Sequence, residues 1–236
     1  MHTIEEIQRA VGRLSAADRE TVMFWLQDLL QHGEDEEDRI EEPQSAYRLD
    51  STPHLTLEEY DQLEENSPVR HEYINGVLYA MSGASIAHNC LAGNLFAAFH
   101  AHLRGSPCKA FTADQQLHMK SGADEIIYYP DVMIACQRDQ WTRNKVRNPK
   151  LVVEVLSPST REIDRREKSL NYRRTPSIEE YVIAAQDAPE LAIHRRKERW
   201  QREVVAGSDA IIEFCSIGLA LPLARIYEDV FDSNVG

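Results

Sequence analysis

At 236 residues, 42% of them apolar and 28% charged, the chain is long enough for one domain with a full core plus an appendage, and its composition is that of a soluble globular protein. A net charge of −13, taken as a sum, argues against nucleic acid as a partner. Glu5 and Glu6 stand where a secretion signal would be basic, and no apolar run is long enough to cross a bilayer, so the expectation is a cytoplasmic protein with no membrane contact.

The first 30 residues predict a helical hairpin. Thr3-x-x-Glu6 is a capping box, with Ile4, Ile7, Val11 and Leu14 at helical spacing. Ser15 to Asp18 opens a second helix with Val22, Trp25, Leu26 and Leu29 on one side. Such a hairpin is too small to bury a core alone. Phe24 and Trp25 are its natural anchors on the main domain, on a second copy in a homodimer, or on another protein partner. Residues 31–53 carry the run Glu34-Asp35-Glu36-Glu37-Asp38, then Pro43 and Pro53, and predict an acidic linker.

Residues 54–236 predict the main domain. Thr56-x-x-Glu59 caps a helix that Asn66-Ser67-Pro68 ends. Asn75-Gly76 joins Glu72–Ile74 to Val77–Met81 as a two-residue hairpin. Ile86 to Leu103 reads as a helix with Leu91, Leu95, Ala98 and Phe99 at core spacing and Gly105 as its stop. Phe111–Met119, Ile126–Ala135 and residues 149–157 read as three strands. Ser159-x-x-Glu162 caps a helix running to about Arg174, ahead of Pro176, and Ile178–Ala185 is another strand. A hairpin turns at Arg195–Arg199, and Leu219–Phe231 ends in a helix. The order gives an α/β or α+β class, with helices on both sides of a mixed sheet. No Gly-rich loop joins a strand to a helix, so a nucleotide-phosphate cradle is not supported.

Four cysteines, Cys90, Cys108, Cys136 and Cys215, have no C-x-x-C spacing. That argues against a zinc site and a disulfide framework and fits a reducing compartment. The charge is unevenly spread. Residues 1–42 hold a net −8, whereas Arg138 to Arg174 has eleven Lys or Arg against five acids. The basic segment is a solvated face or a track for nucleic acid.

Within that segment and just before it, two apolar runs each carry one acid: Tyr129-Pro130-Asp131-Val132-Met133-Ile134 and Leu151-Val152-Val153-Glu154-Val155-Leu156. Alternation puts Glu154 on the same face as Val152 and Leu156, where an unpaired carboxylate is costly. A divalent cation shared with Asp131 would remove that cost, and Mg²⁺ needs only one or two carboxylates plus water and substrate phosphate. Asp164, Lys168 and Tyr172 follow at i, i+4 spacing, in one stripe. Lys168 is then either a surface lysine paired with Asp164 or an amine turned to the acids. Glu72 is either a further site acid or an ion pair with Arg70. His88 reads as a helix-start cap or a core histidine more readily than as a base. Asp114, Gln115 and Gln116 border this region without a role that the residues alone define.

These residues resemble the Uma-two family, also called domain of unknown function eight-twenty. The resemblance rests on Tyr129-Pro130-Asp131, on Glu154-Val155-Leu156-Ser157-Pro158-Ser159-Thr160, on Asp164, Lys168 and Tyr172, and on Glu180-Tyr181. Arg70-x-Glu72, Gly76 and His88 extend it, and it spans roughly Leu55 to Phe231. It implies a restriction-endonuclease-like fold of the PD-(D/E)XK superfamily, with Asp131 and Glu154 as ligands of Mg²⁺ or Mn²⁺. The superfamily lysine would stand two residues past Glu154, where this chain has Leu156. Lys168 would then be a migrated lysine. The expected function is hydrolysis of nucleic-acid phosphodiester bonds, DNA first, by a metal-activated water, with Asp131, Glu154, Lys168 and Glu72 as the catalytic set. The alternatives are a nuclease fold kept as a binding or regulatory module, and a protein-interaction role for residues 1–30.

Overall fold

The computed structural model describes residues 54–81, 83–121, 124–156 and 167–231. All of them fall in the second of two compact units, Gln44–Gly236. The expected hairpin of residues 1–30 and the linker of 31–53 lie outside the described residues, as does the Ser159 cap.

Helix α1 (Leu57–Asn66) starts at the Thr56 capping box, in which the Thr56 side chain accepts from the Glu59 amide. Strands β1 (His71–Ile74) and β2 (Val77–Ala80) pair around Asn75 and Gly76, whose φ angles of 50° and 93° are those of a primed hairpin turn. Any side chain at Gly76 would also collide with His54, whose Nδ1 lies 2.7 Å from the Cβ position. Helix α2 (Ile86–His102) is capped by Ser85 and buries Leu91, Leu95 and Phe99. Strands β3 (Lys109–Thr112), β4 (Gln116–Ser121), β5 (Asp124–Tyr128), β6 (Val132–Ala135), β7 (Lys145–Val146) and β8 (Pro149–Leu156) follow. Short helix α3 (Ser169–Arg174) leads to β9 (Glu180–Ala185), β10 (Glu190–Arg195), β11 (Arg202–Ala206), β12 (Ile211–Phe214), β13 (Leu219–Pro222) and the single turn α4 (Leu223–Ile226).

A six-stranded sheet of order β11-β10-β9-β8-β6-β3 forms the centre, and its only parallel pair is β8 with β9. On one face, α2 packs Leu91, Leu95 and Phe99 against Ile134, Val153 and Val182. On the other, Met133 and Val152 meet Tyr172 of α3 and Leu117 and Tyr128 of a second sheet. That second sheet has the order β2-β1-β5-β4-β7, and α1 closes it with Tyr60 over Tyr73, Leu78 and Ile127. Strand β8 is therefore covered on both faces, in line with its near-continuous apolar sequence. Among the described residues no helix is long and apolar enough to cross a membrane.

Three expectations need correction. Ile126–Ala135 is not one strand but two, β5 and β6, in different sheets. Pro130 has no N–H to give a ladder, so the chain leaves one sheet there and enters the other, which puts Asp131 at the junction. Phe111–Met119 is likewise divided into β3 and β4 by a turn in which the Gln115 amide bonds back to the Thr112 carbonyl at 3.0 Å. The cysteines are also not all reduced. The β3–β6 ladder sets Lys109 opposite Ala135, so Cys108 and Cys136 are next in register and form a disulfide, S–S 2.07 Å. Pairing across 28 residues is a property of the sheet, invisible to local spacing. Cys90 and Cys215 are free. The hairpin β12–β13 had no sequence signal of its own.

Candidate active site

The antiparallel ladder of β6 and β8 sets Val132 opposite Val153, and its continuation by one residue brings Asp131 and Glu154 opposite each other. Glu154 is 2% exposed in the middle of an apolar strand. Two groups satisfy it there: the Tyr172 hydroxyl donates to Oε1 at 2.6 Å, and Lys168 Nζ lies 3.2 Å from the same oxygen. Asp131 accepts from the Val155 amide at 2.7 Å through Oδ2, and His88 Nε2 lies 3.2 Å from that atom. The His88 amide itself donates to the Ser85 cap, so the first turn of α2 fixes the ring next to Asp131.

Lys168 reaches the acids from the start of α3, where a wide turn at Glu167–Lys168 leads into the helix. Tyr172 is four residues on and hence on the same side, which is why one helix supplies both the cation and the hydroxyl. The ammonium also contacts Glu72 of β1, at 2.9 Å from Oε1, and sits 5.3 Å from the centre of the Tyr128 ring. Burial, then the nearby Glu154 charge, pushes the Tyr172 phenol well above its ordinary pKa, so it stays protonated and donates. Burial and then Glu72 raise the Glu167 carboxyl. Glu154 and Glu72 thus meet on one lysine, with Asp131 and the His88 ring beside them.

Asp131, Glu154, Lys168 and Glu72 are brought together. Asp164, the third member of the expected stripe, lies outside the described residues. The Arg70–Glu72 pair does not form: Arg70 turns to Asp114 at 3.4 Å and to Glu64 at 3.9 Å, while Glu72, two residues on, faces Lys168. The cap of α2 is Ser85 and not His88, whose amide donates to it, while the His88 ring lies beside Asp131. Gln116 and Asp114 line a separate cleft. Among the described residues, no group of three or more His, Cys, Asp or Glu is arranged to hold a metal ion. A pair of carboxylate oxygens is the donor set that suits Mg²⁺ or Mn²⁺ with water and phosphate completing the shell, not a caged Ca²⁺ or Zn²⁺.

Mixed sheets with an acid pair at the junction of two strands define a restriction-endonuclease-like fold. A putative nuclease from Anabaena variabilis, belonging to the domain of unknown function DUF820, has this architecture, with a TM-score of 0.60 and 16% identity over 73% of this chain and 97% of the other. Residues 57–224 match the Uma2 family, described as "Putative restriction endonuclease", and the chain belongs to that family. Two Synechocystis sp. proteins of uncharacterized function are relatives. One, slr1290, is 33% identical over 74% of this chain and 92% of its own length. The other, sll1609, is 31% identical over 70% and 94%.

Proposed function

We propose that the protein is a divalent-cation-dependent endonuclease, with Asp131 and Glu154 holding Mg²⁺ or Mn²⁺ and DNA as the first substrate to test. The observation that supports this most is the Lys168 ammonium, 3.2 Å from Glu154 although Leu156 stands at the superfamily's usual lysine position. A bound cation would neutralise charge at phosphorus and acidify a coordinated water. The chain's own residues do the rest. Lys168 donates to the attacking water and to the phosphoryl oxygens as charge builds on them. Glu72 holds the amine against the acids, and Tyr172 fixes the Glu154 carboxylate. The Val155 amide and His88 hold Asp131. Leu156, 8% exposed, packs in the core beside Tyr172 and offers no charge.

The basic residues around β7, among them exposed Arg138, Arg143 and Arg147, supply a counterweight to the acidic sum and are positioned to meet phosphates. A second reading, a nuclease fold that binds without turnover, is favoured by Leu156. Incubation of the full chain with single- and double-stranded DNA and RNA, with and without Mg²⁺ or Mn²⁺, separates the two. The enzyme reading expects cation-dependent cleavage that Asp131→Asn and Glu154→Gln abolish. Binding without cleavage in either metal supports the module instead.

A further inference from the structure

Lys168 and Tyr172 reach Glu154 from a helix, α3, that is only six residues long, Ser169–Arg174. A helix that short does not hold itself, so its placement depends on what grips its ends. Its last carbonyls have no partner within the helix. Thr175 takes two of them: its Oγ1 donates to the Asn171 carbonyl at 3.0 Å and its amide to the Tyr172 carbonyl at 3.1 Å. The next grip comes from a strand pair. The antiparallel β9–β10 ladder sets Arg195 opposite Glu180, and one step on the Arg196 amide donates to the Glu179 carbonyl at 2.9 Å. Arg196 therefore sits against the segment that joins α3 to β9. Its Nη2 donates to the Arg173 carbonyl at 3.1 Å and to the Thr175 carbonyl at 2.6 Å, and its Nε donates to the Ile178 carbonyl at 2.7 Å. One guanidinium fork spans all three acceptors. A lysine carries its donors on a single atom and cannot.

The turn that presents Arg196 is closed by the Trp200 amide, which donates to the Arg195 carbonyl at 2.9 Å. Arg199 and Trp200 both lie in the left-handed region, with φ of 55° and 63°, where an aromatic residue is uncommon. Such backbone persists only where its surroundings over-determine it. Here the Trp200 ring packs against the cluster that contains Tyr172 and Tyr181, and the Arg196 guanidinium carbon lies 4.7 Å from its centre. The strained residue is thus the one that holds the guanidinium in place. The neighbouring Arg195 turns instead to Glu180 and the Glu213 carbonyl, so the two adjacent arginines serve different ends.

We propose that Arg196, held by Trp200, is a positioning residue for the acid pair: it fixes the end of α3 and thereby sets the Tyr172 hydroxyl and the Lys168 ammonium on Glu154. This rests on the catalytic reading of the acid pair. Arg196 acts through α3 and touches neither acid. Displacement of a reacting group by about 1 Å is enough to cost roughly 10²-fold in rate, so a loosened helix end is felt at the site without loss of the fold.

The test compares the full chain with its Arg196→Lys and Arg196→Ala variants by Mg²⁺-dependent cleavage kinetics and by amide hydrogen exchange of residues 167–175. Arg196→Lys keeps the charge and the stem, which keeps the proposal testable if the alanine variant fails to fold. The expected result in Arg196→Lys is exchange about tenfold faster across α3, with β6 and β8 unchanged. Its kcat falls about 10–100-fold while KM stays the same. Added ethylguanidinium restores kcat in Arg196→Ala, and ethylammonium does not. Faster exchange with kcat equal to that of wild type overturns the proposal and leaves Arg196 as an anchor of the fold alone. A raised KM with unchanged kcat also overturns it and assigns Arg196 to the substrate. Unchanged exchange overturns the grip on α3 itself. Wild type that cleaves no nucleic acid with either Mg²⁺ or Mn²⁺ overturns the nuclease reading instead, and the exchange measurement then decides by itself whether Arg196 positions α3.

Discussion

Two buried charge clusters in this protein have similar composition and different character. In one, Glu180 and Arg195, 2% and 4% exposed, pair at 3.1 Å between β9 and β10. Glu180 also accepts the Cys215 and Ser216 amides at 2.9 Å each, and Arg195 spreads its remaining donors over Glu198, Glu203 and the Glu213 carbonyl. Most of those bonds are to backbone or within a rigid guanidinium fork. In the other cluster, a single flexible lysine faces Glu72 and Glu154, with Asp131 beside them and an aromatic ring below. The first has its valences filled and reads as a staple for the turn after β12. In the second, the contacts among the described residues are mostly between side chains: Lys168 and the Tyr172 hydroxyl on Glu154, Lys168 on Glu72, and His88 with one backbone amide on Asp131. Burial and charge alone do not separate the two clusters; the share of backbone donors among their contacts does.

The largest effect expected from this contrast is on stability. Arg195→Ala strands Glu180 without its counter-charge and should cost about 3–5 kcal/mol, a fall of roughly 6–20 °C in melting temperature. Added Mg²⁺ should not restore it. Next, Lys168→Ala leaves Glu72 and Glu154 facing each other. Cleavage should fall about 10²–10³-fold, and any loss of melting temperature should be partly recovered by Mg²⁺, because a cation can replace the amine's charge. Equal loss of stability in both variants, neither rescued, would erase the distinction between the clusters.

Tyr172→Phe sharpens it further, since the change removes only the hydroxyl that donates to Glu154. Metal affinity or turnover should drop by about 10–100-fold, as for other groups that orient a ligand, and circular dichroism should be unchanged. The smallest effect concerns a third polar group, where His118 Nε2 pairs with Glu125 and its Nδ1 with Arg147 on β4 and the loop before β8. Burial lowers the His118 pKa from 6.5, with Glu125 only partly offsetting it. The folded state thus binds fewer protons than the unfolded one in that range. The stability this contributes is complete above about pH 6.5 and is lost as pH falls toward the lowered value. Melting curves between pH 7.5 and 5.5 should slope downward, and His118→Gln should flatten them.

Particular residues explain how much was legible beforehand. Asp131 and Glu154 stood out because an acid inside a β-branched run contradicts its surroundings, and the contradiction is local. Lys168 and Tyr172 were legible as one stripe because helical spacing is also local. Their reach to Glu154, and not to solvent, depended on how α3 folds back over β8. The His88 ring beside Asp131, the Glu180–Arg195 staple and the Cys108–Cys136 bridge join residues 43, 15 and 28 positions apart; the first comes from how α2 packs on the sheet and the other two from strand order. The same limit merged β5 with β6. Alternation marks a strand but does not say which sheet it enters, and Pro130 was the one local sign of the break.

The central claim is that Asp131 and Glu154 together hold a divalent cation while Lys168 does not ligate it. Calorimetric titration of the full chain with Mn²⁺ tests that most directly. Wild type and Lys168→Ala should each show binding, and Asp131→Asn and Glu154→Gln should each lose it. Binding that persists unchanged in both acid variants would contradict the account.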